Sequence, residues 1–596
     1  MNNIPIVLVG PLSDNYGMPS LAVSLLKMSL KERGINSKVV YANMLFYEIV
    51  GMQLYEELFS GDINNLLYER LFAPLAYDEI EKTDMRGFNG DEISEQLREF
   101  YCVIGDINKN ISQLKYSDME ARCELFIEKM VERIVPFQPR IIGFSNSYQQ
   151  TNPSTALAKA LKQALPKVLC VIGGNNCEGT MGEEIAASLG VFDYVFQGEA
   201  DFAFADFCYD YIENKTLPKN KLIHCSPIRN LDAVLVPNYD DFFEQCDIDE
   251  ESVVLSFESS RGCWWGVKNQ CKFCGESALS TGYRSKSPER MFKELSQLQD
   301  RYLKVRTFLA TDSILPYNYL KDFLPLLKST DFRRKLIYET KANLTYEQII
   351  QMRRAGIFRI MPGIESLSRR LLILLNKGTN PLINIRLLRN CRELDIQVAW
   401  LLLVGIPGDR ASHYEEQLEL MPLIQHLSPP RMIPIRIQRF SPYFRDAKNH
   451  RIKEIKPAKA YEYAFPDSVN IARLAYYFAA QYPSESRERP DILVPLKQQL
   501  DRWNERWMQK PIPKLSMQQK HSSQWKVEDT RDCAKVATQM LTDEDHSLLK
   551  QCRTGISPNR TRSKGRIDLL LDLGYLIEVD GKLLSIVCES SPPEAT

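Results

Sequence analysis

The chain is short of histidine, with six in 596 residues, and none precedes His224. Chemistry that needs an imidazole as acid, base or metal ligand is therefore excluded from the first third of the sequence. No apolar run approaches the roughly 18 residues of a membrane helix. The opening "MNNIPIVLVGPLSDNYG" has no basic stretch ahead of its short apolar run, so no secretory leader is expected either. Neither sign of charge dominates: Lys+Arg number 75 against Asp+Glu 76, a net charge of -1, which leaves no field to gather nucleic acid or anionic lipid. A cytoplasmic protein with no nucleic acid and no membrane partner is the expectation. A disulfide framework is missing too, because 14 cysteines in a chain this long are not the dense pattern of a small secreted domain. Most should be reduced and buried.

What is present is alternation. "IPIVLVG", the amphipathic stretch Pro19 to Arg33 and "SKVVYAN" read as a βαβ start; after an acidic helical insertion at about 48–135 the rhythm resumes with "RIIGFSNS", "KVLCVIGG" and "DYVFQGEAD". The fold class is α/β, with residues 1–225 as a Rossmann-like open parallel sheet. Ligands of such sheets bind at the carboxyl ends of the strands, so the loops Gly10–Tyr16, Ser145–Thr151, Gly173–Glu178 and Gln197–Asp201 should line one crevice. Their glycines let backbone approach a bulky ligand, or simply make turns. No G-x-G-x-x-G follows the first strand, which disfavours a nicotinamide or flavin cofactor.

After a linker at 226–250, a second alternation fills 251–450. "SVVLSFE", "VRTFLAT", "KLIYETKA", "FRIMPGIE", "IQVAWLLLVG" and "MIPIRIQRF" give six βα units, a partial TIM barrel with its site at the C-terminal strand ends. Just past its first strand stands "SSRGCWWGVKNQCKFCGES", with Cys263, Cys271 and Cys274. A structural zinc ion wants four ligands, and the next cysteine or histidine is Cys391. An iron-sulfur cube on three thiolates instead leaves one iron open for a substrate molecule. Cys170 and Cys177 show the ordinary alternative, core cysteines with no third partner.

The cysteine loop resembles that of radical S-adenosylmethionine (SAM) enzymes, and within them the cobalamin-dependent peptide C-methyltransferases of RiPP maturation, where Arg-Gly-Cys-Trp-Trp-Gly recurs. The likeness covers about residues 1–450, including "GGNNCEG", "FQGEAD", "GIES", "GIPG" and "RFSPY". It implies that Cys263, Cys271 and Cys274 ligate a 4Fe-4S cluster whose open iron chelates SAM. Phe273 would pack on the SAM adenine. Asp312, where the family usually has Gly-Gly-Glu, is the candidate partner of the SAM amine, and Glu339 and Lys341 suit a ribose hydroxyl or the SAM carboxylate. Gly363, Glu365 and Ser366, with Gly405 and Pro407, resemble the loops around ribose and adenine. Trp264 and Trp265 are candidate walls of the chamber, and Tyr443, in "RFSPYF", is placed where substrate enters.

By the same resemblance residues 1–225 hold cobalamin, with Gly173, Gly174, Asn175, Gln197, Gly198 and Glu199 beside it. The sequence has no Asp-x-His-x-x-Gly signature, so no histidine of this domain reaches cobalt; Tyr148, Gln149 and Gln150 are the candidates for its lower face. Losing an axial donor favours low-coordinate cobalt, a methyl-accepting nucleophile. The implied reaction takes a hydrogen from an unactivated carbon of a ribosomally made precursor peptide with a 5'-deoxyadenosyl radical, and delivers a methyl group from cobalamin. It needs an external electron donor such as flavodoxin or ferredoxin. Two alternatives stay open: a non-methylating radical rearrangement or ring closure, and a zinc-stabilised peptide-binding protein.

Residues 451–596 read as mostly helical, with "PIPKLSMQQKHSSQ" as a linker and a winged-helix-like end in which "YLIEV" and "KLLSIV" flank the turn Asp580-Gly581. The run Arg553, Arg560, Arg562, Lys564 and Arg566 reads as a solvated face rather than a DNA surface. Capture of the precursor's leader along the hairpin edge is the role expected for this tail.

Overall fold

The structure is a computed structural model that describes residues 4–12, 15–60, 66–80, 95–105, 116–245, 247–276, 282–521, 523–560 and 564–589. The first sheet is built from runs apolar enough to be buried on both faces, as a parallel sheet between helices requires. Its strands are β1 (Ile6–Gly10), β2 (Ser37–Tyr41), β3 (Ile141–Ser145), β4 (Leu169–Gly173), β5 (Tyr194–Gly198) and β6 (Leu222–Cys225), all parallel in the order β2-β1-β3-β4-β5-β6. The chain winds one way from β1 to β2 and the other way from β3 onward, so the crevice for a ligand opens between those halves. The expected five strands are all present. β6 escaped the pattern because it is a half-exposed edge strand carrying an exposed His224.

The helical insertion starts directly after β2, at Ala42 rather than about 48, and runs to Ile134. It is part of the core: Phe126 lies 5.4 Å from Phe46 and 5.6 Å from Phe72, ring centre to ring centre. Nor does the segment 226–250 hang free. Its helix Asp240–Gln245 carries Asp241, which accepts the Val39 N–H of β2 at 2.8 Å and pairs with Lys27 at 2.6 Å and Lys38 at 2.9 Å.

The second domain begins with β7 (Val254–Phe257). A short antiparallel pair, β8 (Ser260–Arg261) with β9 (Arg284–Ser285), brackets the cysteine loop. Then follow β10 (Thr307–Ala310), β11 (Lys335–Thr340), β12 (Ile357–Pro362) and β13 (Gln397–Val398), giving the parallel order β13-β12-β11-β10-β7. The fifth barrel strand breaks at Ala399–Trp400, where the buried Trp400 indole donates to the Ser428 carbonyl at 2.8 Å. It resumes as β14 (Leu401–Val404), parallel to β15 (Arg431–Pro434). Leu403 N–H still bonds the Glu365 carbonyl at 2.9 Å, so the broken strand keeps its place beside the fourth. Six strand positions in an open barrel are what the sequence pattern led us to expect.

Beyond it, β16 (Ile437–Gln438), β17 (Lys453–Pro457) and β18 (Tyr477–Gln481) form an antiparallel sheet at the barrel's open side. The C-terminal region is helical at Val494–Met508, but the expected linker is a strand: β19 (Leu515–His521) pairs with β20 (Gln524–Asp529), which pairs with β21 (Thr538–Thr542). Its outer half faces solvent, and polar residues there mimic a linker. The tail closes with helices Asp543–Gln551 and Lys564–Asp572, the hairpin β22 (Leu576–Val579) and β23 (Lys582–Ser585), and β24 (Cys588–Glu589) beside β19. Asp580 (φ +53°) and Gly581 (φ +67°) make the turn in the left-handed conformation this hairpin needs.

The tail is bolted to the barrel. Arg389, 2% exposed, donates to the carbonyls of Arg553 (3.0 Å) and Ser585 (2.6 Å), and Arg553 pairs with Glu393 at 2.8 Å. Arg566 pairs with Asp545, while Arg562 and the side chains of Arg560 and Lys564 lie outside the described residues. No helix among the described residues is long and apolar enough to cross a membrane.

Candidate active site

The loop after β7 is fixed before its first cysteine. Asp312, just past β10, is 2% exposed and accepts the N–H groups of Ser259 at 2.7 Å and Ser260 at 3.0 Å, with the Ser259 hydroxyl as a third donor. Burial pushes its carboxyl up to about 7, against the pull of these bonds. The residue expected to meet the SAM amine therefore spends both oxygens on holding the cysteine loop.

Cys263 caps the helix Trp264–Asn269, its Sγ accepting the Gly266 N–H at 3.4 Å. Cys271 and Cys274 sit on a turn closed by Cys274 N–H to the Cys271 carbonyl at 3.2 Å, and pinned by Lys272 N–H to the Leu375 carbonyl at 3.0 Å. All three thiols are half-buried, whereas Cys123, Cys170, Cys177, Cys208, Cys391, Cys552 and Cys588 are buried. Two ammonium groups face them. Lys341 Nζ lies 3.4 Å above the Trp265 ring and donates to the Lys377 carbonyl at 2.8 Å; Lys377 Nζ pairs with Glu365 at 3.1 Å and stands 5.7 Å from the Phe273 ring centre. Burial, then the neighbouring Lys377, brings Lys341 down to about 8, with the thiols pulling the other way. Burial raises Cys271, and Lys377 and Lys341 oppose that rise. Three loop-anchored sulfurs with two cations behind them suit an anionic cluster. Among the described residues no three His, Cys, Asp or Glu side chains converge on a point that a single metal ion would occupy.

Around this loop the barrel mouth is acidic. Glu339, near the end of β11, is open to the mouth yet walled by protein; burial, then Glu276 and Glu365, push its carboxyl up to about 8. Glu276, likewise open on one side, is raised by the protein that surrounds the rest of it. Sequence reasoning passed over Glu276, although it lies two residues past Cys274. Gly363 makes room for a lysine, since a Cβ there would stand 2.5 Å from Lys377 Nζ. Ser366 is buried and donates to Gln417 at 2.9 Å.

Three expectations for the rim need correction. Gly405 lies under the C-terminal region, with its N–H meeting the Ser486 hydroxyl at 3.2 Å, its carbonyl accepting from Tyr482 at 3.0 Å and Phe100 of the insertion close against it, and Pro407 two residues on is buried. Tyr443 is 1% exposed; its N–H holds the Lys272 carbonyl at 3.0 Å and its hydroxyl reaches the Leu374 carbonyl at 3.4 Å. It supports the cysteine loop from behind instead of meeting substrate. Trp264 donates its indole N–H to the Leu315 carbonyl at 3.2 Å, while the Trp265 indole N–H is buried without a partner.

The first domain contains a cavity of about 330 Å³, lined by Leu8, Gly143, Ile172, Gly173, Gly198 and neighbouring apolar groups, with Glu199, Asp201, Glu258 and Arg261 at its polar end. Glycines along its wall bring backbone segments close together. Gly198 (φ +95°) has no room for a Cβ, which would fall 2.3 Å from the Cys225 carbonyl, and at Gly174 (φ +121°) one would fall 2.5 Å from that of Asn146. Asn175 is exposed beside it, and Gln197 donates to the Gly179 carbonyl at 3.1 Å.

Of the candidates for a lower face, Gln149 is spent on the Tyr68 N–H at 3.2 Å and Gln150 on the Ser147 N–H at 2.6 Å. Tyr148 meets Tyr477 of β18 edge to face at 5.1 Å, on the border between the domains. Glu199 crosses that border: it accepts from Arg261 at 3.0 Å and from Arg284 at 2.6 Å. Burial works against its charge, but the two guanidinium groups hold its carboxyl below the usual range.

Residues 257–421, most of the barrel just described, match the radical SAM superfamily. An uncharacterized methyltransferase, PH0819 of Pyrococcus horikoshii, is 24% identical over 316 residues, 50% of this chain and 67% of its own. The ribosomal protein uS12 methylthiotransferase RimO of Chlorobium limicola is 27% identical over 169 residues, 26% of this chain and 39% of its own. The chain thus spans about two thirds of the first of these curated relatives and well under half of the second. Among solved structures, the cobalamin-dependent radical SAM enzyme OxsB with aqua-cobalamin and SAM superposes with a TM-score of 0.54 at 14% identity, over 84% of this chain and 67% of OxsB. The radical SAM methyltransferase TsrM of Kitasatospora setae, with cobalamin and a 4Fe-4S cluster, gives 0.53 at 13% identity, over 83% of this chain and 89% of TsrM. The α/β fold, an open parallel sheet followed by a partial barrel, is shared with these enzymes.

Proposed function

We propose that the chain is a cobalamin-dependent radical SAM enzyme that C-methylates an unactivated carbon of a ribosomally synthesised precursor peptide. The observation that carries this reading is the pairing of two sites in one body: three loop-anchored thiols at the barrel mouth, and a glycine-lined apolar cavity in the adjoining sheet. When bound, the cluster would supply an electron and an open iron to SAM, and cobalamin a transferable methyl group.

The protein's own residues do the rest. Cys263, Cys271 and Cys274 would hold the cluster, with Lys341 and Lys377 balancing its charge. Glu339, held protonated near neutrality by its crowded setting, would release that proton and pair as a carboxylate with a cationic amino group in the mouth. Phe273 and the two tryptophans wall the chamber, which keeps water from a reactive carbon centre. The glycine cavity suits the nucleotide tail of cobalamin, because its floor is apolar and only its rim is charged.

The tail suits capture of the precursor by strand addition, at a different edge from the expected hairpin. β23 is bridged at Leu583 by Ile556, and Asp580 accepts from Leu382 of the barrel. β21 instead ends its sheet, exposing Met540 (45%) with Val536 (39%) beside it. An open strand edge presents unpaired backbone groups to an extended peptide. Met540→Pro should weaken precursor binding while leaving SAM cleavage without peptide intact. An external donor such as flavodoxin or ferredoxin would supply the electrons.

The test is incubation of reconstituted enzyme with SAM, cobalamin, reductant and precursor peptide, followed by mass spectrometry. A gain equal to replacing hydrogen by methyl supports the proposal. Loss of hydrogens without added carbon supports a ring-closing reaction, and an unchanged peptide with intact cofactors removes it as substrate.

A further inference from the structure

The cavity of the first domain and the first cysteine of the barrel loop share one residue. Arg261 lines the polar end of the cavity and stands two positions before Cys263, with only Gly262 (φ +80°) between them. Its guanidinium is forked on two carboxylates at once: Asp201 at 2.8 and 3.0 Å, and Glu258 at 2.7 and 3.1 Å, with Glu199 accepting a further bond at 3.0 Å. Glu199 and Asp201 belong to the loop that leaves β5 directly after Gly198, so they are the rim of the cavity itself. Arg284, opposite Arg261 in the β8–β9 pair, binds the other side of Glu199 at 2.6 Å and the Ile228 carbonyl at 2.6 Å. The side chains involved are all nearly enclosed, between 12% and 18% exposed.

Such a group of charges is sensitive to what fills the space beside it. Charge-assisted bonds strengthen as water is removed, and a planar guanidinium held by two forks has one orientation. A molecule seated in the cavity displaces water from the rim and leaves Arg261 in that orientation. On the far side of the loop Asp312 already fixes Ser259 and Ser260. Arg261 is then the side chain that ties the turn at Gly262, and with it Cys263, to the rim of the cavity.

We propose that Arg261 is a positioning residue that couples occupancy of the first-domain cavity to assembly of the cysteine loop. This inference rests on the cofactor reading above. Filling the cavity favours the loop arrangement that binds the cluster, and by thermodynamic reciprocity a bound cluster tightens binding in the cavity by the same factor. No long-range pathway is needed, because the residue that touches the cavity is a near neighbour of the ligand.

The experiment compares two forms of the full chain, iron-free and cluster-loaded, by absorbance titration with hydroxocobalamin. The wild-type cluster-loaded form should bind at least about fivefold more tightly than the iron-free form. Arg261→Met should still bind cobalamin but with equal affinity in both forms. Asp201→Asn, which weakens the clamp from the first-domain side and leaves Arg261 paired with Glu258, should reduce the ratio and stands in if the first variant does not fold. Equal affinities in the wild type, or an undiminished ratio in Arg261→Met, or in Asp201→Asn where Arg261→Met does not fold, would overturn the coupling. No binding to either form would overturn the cofactor reading itself, and the coupling with it.

Discussion

The cavity of the first domain and the mouth of the barrel are made by opposite means. One is an apolar space walled by leucine, isoleucine and phenylalanine, where Gly143, Gly173 and Gly198 let the backbone pack closely. The other is crowded with ionisable groups: three thiols, Lys341, Lys377, Glu276, Glu339 and Glu365. The first is a receptacle, spoiled by adding atoms. The second is a set of charges and ligands, spoiled by taking them away. The nucleotide tail of a larger cofactor suits the former, and chemistry that moves electrons and protons suits the latter.

The largest expected effect is at the mouth. Changing Cys263, Cys271 or Cys274 to Ala should abolish cluster assembly, read as iron, sulfide and the spin-resonance signal, while Cys170→Ala and Cys391→Ala leave all three unchanged. An active, cluster-bearing Cys271→Ala protein would end the assignment. On the other side of the comparison, Gly198→Ala drives a methyl group against the Cys225 carbonyl at the rim of the cavity, in a strained backbone conformation. It should cost about 1–3 kcal/mol of stability and lower cobalamin affinity, with cluster content retained. Equal loss of both cofactors would mean that the two sites do not break separately.

A third prediction concerns Glu339. A carboxyl whose folded-state value is raised to about 8 destabilises the fold once the unfolded chain would ionise, so the penalty is absent well below pH 4.5 and grows as pH rises toward 8. Glu339→Gln should therefore raise Tm at pH 8 and leave it unchanged at low pH. A Tm gain that is independent of pH would show that Glu339 is not held protonated. The same variant should weaken SAM binding, and binding of SAM to the wild type should release protons near pH 7, measurable by calorimetry in buffers of different ionisation heat.

The smallest effect is expected at Tyr443. Its hydroxyl makes one long bond to the Leu374 carbonyl, so Tyr443→Phe should cost less than about 1 kcal/mol and leave product formation intact. Loss of product at full stability and full cluster content would return the residue to the chemistry.

The contrast between the two regions also governs how much of each could be read in advance. The cysteines announced themselves, because three thiols in twelve positions of a chain with dispersed cysteines have few uses. The sheet and barrel were legible for the same kind of reason: β1 and β4 are apolar runs that only a buried parallel strand explains. β19 was not, since its exposed half carries "QQKH" and a one-sided edge region looks like a linker until its partner β20 is known. Nor were the roles of Asp312, Gly405 and Tyr443. Each stands where a motif led us to look, but what a residue touches depends on segments far away, such as Ser259 for the Asp312 carboxylate and Ser486 for the Gly405 N–H. The glycines of the cavity were visible as glycines, and only the packing of Cys225 and Asn146 against them shows which are obligatory.

The most direct test of the central claim is the metal inventory of the purified, anaerobically reconstituted chain, with the spin-resonance spectrum of its cobalt. The account predicts iron and acid-labile sulfide in equal amounts, bound cobalt, and a Co(II) spectrum without splitting from an axial nitrogen, because residues 1–223 contain no histidine. Zinc with neither cobalt nor sulfide, or a Co(II) spectrum split by a protein nitrogen, would contradict it.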